Sequence, residues 1–464
     1  MYFRSLCLVA CWVVTGVMAS PQAEEELVTF SKEEVSRDLD YLYQSLIHTH
    51  YNPYAYVSKQ ALFDAYQHSK GQLQSSQYEL KHVVTLFQRL VAQLKNGHTE
   101  IDFPVASYIH YAESGGTLFP LELVFENGKA LVRTNFSRDS AVPKGANIIE
   151  INGQPINVVL NGIYPLISGE RRAYQNAKLE VYTFPRYYWY AFGEKSLFDV
   201  VYVYKGQQHR ATLKPIAVFD EFEARKDEIL NAQRTVKFFG DVAYLNPGHF
   251  SGDQAKYREF IDSAFSSISS HQANTLIVDL RNNSGGDDAF SDYLVAYFAD
   301  KPFKWHSRFA LRSSATLKQD TQANKDTSLP YWRSIMEHID GERYEFEFDY
   351  YQPMPETKRF SGDIYVLINR QSHSQSSVTA AQIQDYGWGT LVGEETAEFP
   401  TLFASQFHYT LPETGLTVKI AKGYIVRVSG SERAQGVEPD IVIQDHMLDA
   451  EDEILSGLLK KLKH

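Results

Sequence analysis

Apolar residues recur at helical spacing in some segments of the chain and run without interruption in others. Ser31 and Glu34 read as a capping box ahead of Val35, Leu39, Leu42 and Leu46, which predicts a helix with one buried face. A second box, Ser76 with Glu79, precedes Leu80, Val83, Phe87, Leu90 and Leu94 and predicts another helix. Asn96-Gly97 is expected to end it, because glycine accepts the left-handed conformation at a helix C-terminus. From about residue 104 the pattern turns strand-rich, with Pro120-Leu-Glu-Leu123, Lys129-Ala-Leu-Val-Arg133 and Gly145 to Gly153. Beyond residue 218, the short apolar runs Val242–Leu245, Leu276–Leu280, Ile364–Ile368 and Thr390–Val392 alternate with helical stretches. That is the pattern of a sheet joined by crossover helices.

The expected organisation is a multidomain α/β protein: leader 1–23, helical domain 24–103, β-rich domain 104–217 and α/β domain 218–464. Residues 154–195 read as an insertion in the β-rich piece. Tyr182 to Phe192 is the densest aromatic patch, either an interface cluster or a groove wall. Ser313 to Tyr350 is polar, has no clear strand period, and reads as a lid, an insertion or an irregular connection.

Some of these elements end in chemistry. The buried strand at Ile364–Ile368 runs into a serine-packed turn and then a helix from about Ser376 to Tyr386. A serine there is exposed to substrate and surrounded by backbone N–H groups, although such clusters commonly do no more than cap helices. The strand at Leu276–Leu280 runs into Gly285-Gly286, where the backbone can approach a ligand closely. No Gly-Lys-Ser/Thr follows, so an oxyanion fits better than a nucleotide phosphate. His98 lies just past a rigid helix end. A lone loop histidine is usually a solvated or capping side chain.

In order and spacing, Gly97-His98-Thr99, Asp279-Leu280-Arg281-Asn282 with Gly285-Gly286, Ser372-His373-Ser374, Gln384-Asp385-Tyr386-Gly387, Val392-Gly393-Glu394-Glu395-Thr396 and Gly436-Val437-Glu438-Pro439-Asp440 resemble the tail-specific, or C-terminal processing, serine peptidases. In the lysine-using members, a Gly-Lys-Gly supplies the general base where this chain reads Thr396 to Pro400, and the lysine falls on Phe399. The chain is therefore more similar to the tricorn-like branch, which uses an upstream histidine matched here by His98. The resemblance implies a crotonase-like catalytic core and a PDZ-like β-rich domain. It also implies Ser374 as nucleophile and His98 as general base, with oxyanion donors at Gly285 or Gly286 and at Gln375. Glu432 would orient the histidine through a hydroxyl, with Thr99 standing in because Gly97 occupies the place where some relatives carry serine. His373, adjoining Ser374, is a pocket-lining or surface residue in this reading. Ser372, Ser376 and Ser377 are capping or packing hydroxyls, and Asp279 and Arg281 buttress the glycine turn; Lys422 could in principle be a distant base, but a strand lysine before Gly423 is usually just solvated.

Composition narrows the setting. A net charge of −12 argues against a nucleic-acid partner, and no CxxC, HExxH or EF-hand spacing signals a metal or other cofactor. The first 23 residues read as a signal peptide, with cleavage after Ala19 or Ala23. Leu8-Val-Ala-Cys11 resembles a lipobox, but the apolar run continues past Cys11, which argues against lipidation. The chain's 2 cysteines both lie in this leader, so the mature protein would rely on its cores alone. No later segment is apolar enough to span a membrane. The expected function is an extracytoplasmic serine endopeptidase acting on polypeptides. The alternative is a non-catalytic peptide- or apolar-ligand-binding protein on the same fold.

Overall fold

The computed structural model describes residues 28–137, 142–180, 183–223 and 233–463. The expected leader and both cysteines lie outside the described residues. Among those described, no helix is long and apolar enough to cross a membrane.

The sheet that organises the chemistry is six-stranded, with strands Thr235–Phe239, Val242–Asn246, Thr275–Asp279, Asp363–Ile368, Thr390–Gly393 and Ile441–Val442 side by side in chain order. The first pair is antiparallel and the rest are parallel. Parallel neighbours need crossover connections, and helices Gln254–Ser270, Asp288–Val295 and Gln375–Tyr386 pack over one face. The central strand Thr275–Asp279 is buried along its whole length, which accounts for its lack of alternation. The strands ending at Asp279, Ile368 and Gly393 all point their carboxyl ends the same way, so the loops that follow converge at one edge, where ligands of open α/β sheets bind.

Helix Lys32–Thr49 opens with the expected reciprocal capping box between Ser31 and Glu34. The box expected at Ser76 and Glu79 is not formed. Gln77–Glu79 pairs antiparallel with Thr29–Ser31, and the helix begins at Leu80 with no side-chain cap. That helix runs to Val91 and tightens into a 3-10 turn at Ala92–Leu94, where Lys95, not Gly97, takes the left-handed conformation at φ 50°. The N-terminal helices share one continuous core with the hairpin Leu402–Thr410 and Thr417–Val426, through Val35, Leu39, Phe87, Leu402, Phe407 and Ile420. Strand Glu100–Ile101 also pairs with that hairpin, which ties the His98 turn directly to the α/β part.

A second six-stranded sheet, antiparallel throughout, spans Leu121 to Leu213 around its own core. The described residues between 154 and 195 include helices Ile156–Ile163, Arg172–Leu179 and Phe184–Phe192. Tyr182 of the aromatic patch lies outside the described residues; the rest divides between two cores, with Phe184 and Tyr188 in one and Trp189 and Tyr190 in the other, which makes it an interface cluster. Ser313 to Tyr350 is ordered as helices Ala315–Asn324 and Pro330–Glu337 and strand Arg343–Glu345; Leu317 and Ile335 anchor it. Lys422 is 3% exposed, with its ammonium on Ser405 O at 2.7 Å and Ser405 Oγ at 3.0 Å, so it is not the solvated lysine expected.

Candidate active site

Ser374 occupies the N-cap of helix Gln375–Tyr386, but its side chain caps nothing. It sits at φ 50° and ψ −125°, a backbone conformation costly for a residue with a Cβ and characteristic of nucleophiles held on strand-to-helix turns. The neighbouring hydroxyls stabilise the turn. Ser372 and Ser376 both donate to Leu280 O, at 2.8 and 3.1 Å, and Ser377 donates to Ser372 O at 2.6 Å. With those bonds made by its neighbours, the Ser374 hydroxyl is free to meet His98 Nε2 at 3.0 Å.

His98 is 8% exposed and is held by its turn. Glu170 accepts the Gly97 N–H at 3.0 Å and the Asn96 side-chain amide at 3.0 Å. Thr99 donates its hydroxyl to Asn96 Oδ1 at 2.8 Å and accepts the Ala421 N–H at 3.1 Å, so it fastens the turn to the hairpin and is not a relay to His98. Gly97 is there for space, since a Cβ would lie 2.7 Å from the Tyr174 hydroxyl.

The carboxylate beside the histidine is Glu398. Its Oε1 lies 3.3 Å from His98 Nδ1, and its Oε2 accepts the backbone N–H of Ser374. The alignment of Nδ1 and Oε1 falls short of a formed hydrogen bond. Glu432 is elsewhere: its two carboxylate oxygens take Arg308 at 3.1 Å and the Tyr424 hydroxyl at 2.8 Å on an exposed surface. The loop carrying Glu398 is clamped by Arg171, which donates to Thr396 O and to Ala397 O at 2.8 Å.

Electrostatics reinforce this geometry. Burial raises the Glu398 carboxyl from 4.5 to about 7, opposed by the Ser374 N–H and the Lys178 ammonium. Burial also raises Glu170, with the Glu398 charge adding to it. Burial lowers His98, Glu170 opposes that shift, and Lys178 adds to it. The pair is thus disposed toward a neutral imidazole beside a carboxyl that ionises near neutrality.

The glycine turn closes against the serine. Gly285, at φ 84°, approaches so closely that a Cβ would lie 2.7 Å from Gln375 N, His373 O and Ser374 Cβ. Gly286, at φ 139°, abuts Phe250 O, which a Cβ would strike at 1.9 Å. The Gly285 N–H is taken by Asn283 Oδ1 at 2.8 Å. Phe250 pairs through Gly285 O and the Asp287 N–H, which turns the Gly286 N–H to the opposite side. The Gln375 N–H, first in its helix, has no intrahelical acceptor. Asp279 holds Arg281 through the backbone and guanidinium, and Arg281 reaches Asp452, a structural brace for this edge.

Glu398, Glu170 and Lys178 were not singled out from the sequence. The signal for Glu398 was a lone acid in the apolar run Ala397-Glu398-Phe399-Pro400, one residue from the position where the lysine-using relatives place their base. Glu170 and Lys178 carried no local signal. Among the described residues, Asp445, His446 and Glu453 could converge on a cation, but His446 already pairs with Glu453 at 2.8 Å, which accounts for the grouping without an ion.

Residues 241–443, the span of the parallel sheet and its loops, match peptidase family S41. The tail-specific protease of Haemophilus influenzae is 37% identical over 91 residues, 18% of this chain and 13% of that protein, so the match spans only a small part of the relative's length. Mature CPAF has the same overall fold, with a TM-score of 0.65 at 16% identity over 93% of this chain and 96% of that one. Mature CPAF complexed with lactacystin gives a TM-score of 0.64 at 16% identity over 93% and 98% of the two chains. The family match covers the strands that carry the glycine turn, Ser374 and Glu398, so this part of the chain is similar to peptidase family S41.

Proposed function

We propose that this protein is a serine endopeptidase that cuts extracytoplasmic polypeptides through an acyl-enzyme on Ser374, with His98 as general base and Glu398 as the orienting carboxylate. The observation that carries the reading is the 3.0 Å contact from an uncapped Ser374 hydroxyl to His98 Nε2. A binding protein on this fold would need no proton acceptor there, and no strained backbone to present the hydroxyl.

In the acylation step, Ser374 Oγ bonds to the scissile carbonyl carbon as its proton passes to His98 Nε2. The carbonyl oxygen takes the negative charge and accepts from the Gly286 and Gln375 N–H groups. Collapse breaks the C–N bond, and His98 returns the proton to the leaving amine. Water, deprotonated by the same imidazole, then releases the acyl group and restores Ser374. Throughout, Glu398 must be ionised so that Nδ1–H donates to it and Nε2 is left as the acceptor. A protonated Glu398 would instead donate to Nδ1 and hold the imidazole in the wrong tautomer.

The test is cleavage of an unstructured polypeptide by the mature protein, with fragments read by mass spectrometry. Internal cuts that disappear with Ser374→Ala support the proposal. Intact polypeptide after incubation with the well-folded parent protein contradicts it.

A further inference from the structure

Resting on the reading of Ser374 as nucleophile, we propose that Lys178 and His373 form a carboxylate-binding subsite that selects substrates with an aspartate or glutamate beside the cleaved bond. His373 immediately precedes Ser374 and is 6% exposed, yet neither of its ring nitrogens has a hydrogen-bond partner. A buried polar ring left in that state calls for an explanation, and a ligand group is one. Its backbone is fully engaged, donating to Asn283 O at 3.0 Å and accepting from the Ser376 N–H at 2.9 Å, so the point from which the ring projects is fixed.

Lys178 supplies the charge. Tyr174 and Lys178 lie four apart on helix Arg172–Leu179, hence on one face. The buried Tyr174 ring meets the His373 ring edge-on at 5.2 Å, and the Lys178 ammonium lies 5.3 Å from the Tyr174 ring centroid. The ammonium is felt at His373, His98 and Glu398, whose proton affinities it lowers in each case. Among the described residues, Lys178 forms no salt bridge. Each of the two buried carboxylates near His98 has one oxygen engaged, Glu398 Oε2 with the Ser374 N–H and Glu170 Oε1 with Gly97 and Asn96, and neither forms a salt bridge with Lys178.

A half-buried cation without a salt bridge and a buried imidazole without a hydrogen-bond partner therefore both lie against the Tyr174 ring, and the imidazole adjoins Ser374. A carboxylate accepts from the imidazole N–H and pairs with the ammonium, satisfying both. A side-chain amide satisfies the imidazole but forgoes the ion pair, and an aliphatic group satisfies neither.

The experiment uses peptides identical except for Glu, Gln, Leu or Lys at each position flanking the cut. Binding to the uncleaving Ser374→Ala variant is measured separately from fluorophosphonate labelling of the parent protein. The expected result is a Kd for the best-placed Glu peptide about tenfold below that of its Gln isostere. Lys178→Glu reverses the order and favours a lysine peptide. Equal affinity for Glu and Gln at every position overturns the subsite, whether or not Ser374 is labelled. Preference for Glu without labelling leaves the subsite standing and removes the nucleophile reading instead.

Discussion

Glu398 accepts the backbone N–H of Ser374 with one carboxylate oxygen and faces His98 with the other. A single buried side chain thus fixes the turn that presents the nucleophile and, on the proposed mechanism, orients the base. The price is a carboxylate 1% exposed whose charged form is disfavoured by burial.

Glu398→Gln tests both roles. The amide can still accept the Ser374 N–H but cannot stabilise an imidazolium, so labelling of Ser374 by a fluorophosphonate should slow by about 10³-fold or more. Stability should move the other way. The Glu398 pKa is raised from 4.5 to about 7 in the folded protein, so between these values the native state holds more protons than the unfolded one and stability falls as pH rises. The full penalty, on the order of 3 kcal/mol, is present above about pH 7 and absent below about pH 4.5. Glu398→Gln should therefore raise the melting temperature at pH 8 and leave it nearly unchanged at pH 4.5.

The pH dependence of the parent protein follows from the same group. His98 is lowered from its ordinary value, so loss of its proton is not what limits activity near neutrality. The rate of Ser374 labelling should rise with pH through about 7, where Glu398 ionises and His98 takes the tautomer that can accept the serine proton. A rate constant flat from pH 6 to 8 would remove Glu398 from the mechanism.

Glu432→Gln separates the two candidate carboxylates. Glu432 is about half exposed and paired with Arg308, an arrangement worth roughly 0–1 kcal/mol. Its replacement should change the labelling rate by less than about threefold, an effect of under 1 kcal/mol. A loss matching that of Glu398→Gln would restore Glu432 as the orienting group.

Gly285→Ala probes the closeness of the glycine turn to the serine. The added methyl would sit 2.7 Å from three atoms of His373, Ser374 and Gln375, at φ 84° where an L side chain is already strained. Labelling should fall by at least about 10²-fold, the scale of losing one oxyanion donor. Far-UV circular dichroism should be preserved, because the clash is confined to this turn.

The legible parts of the chain were those encoded locally. Ile364–Ile368 and Leu276–Val278 are apolar without alternation because both faces of their strands are covered, and that alone marks the parallel sheet. His98, Gly285, Gly286 and Ser374 stand out because each sits at the end of a rigid element in a motif of fixed spacing. The less legible parts depend on distant chain. Ser76 and Glu79 look like a helix cap, but pairing with Thr29–Ser31 outweighs the local preference. Glu170 and Lys178 reach the site only because helix Arg172–Leu179 and the turn before it pack against it, and nothing in their own neighbourhood announces that. Thr99 carries a hydroxyl next to the histidine, but its bonds to Asn96 and Ala421 commit it to the turn.

The most direct measurement is fluorophosphonate labelling of the mature protein at pH 8, with the adduct mapped by mass spectrometry, beside Ser374→Ala and His98→Ala. The account expects a phosphonylated Ser374 in the parent protein, no adduct in the serine variant, and labelling slowed by about 10³-fold or more in the histidine variant. An unlabelled Ser374 in folded protein, or labelling undiminished by loss of His98, would contradict it.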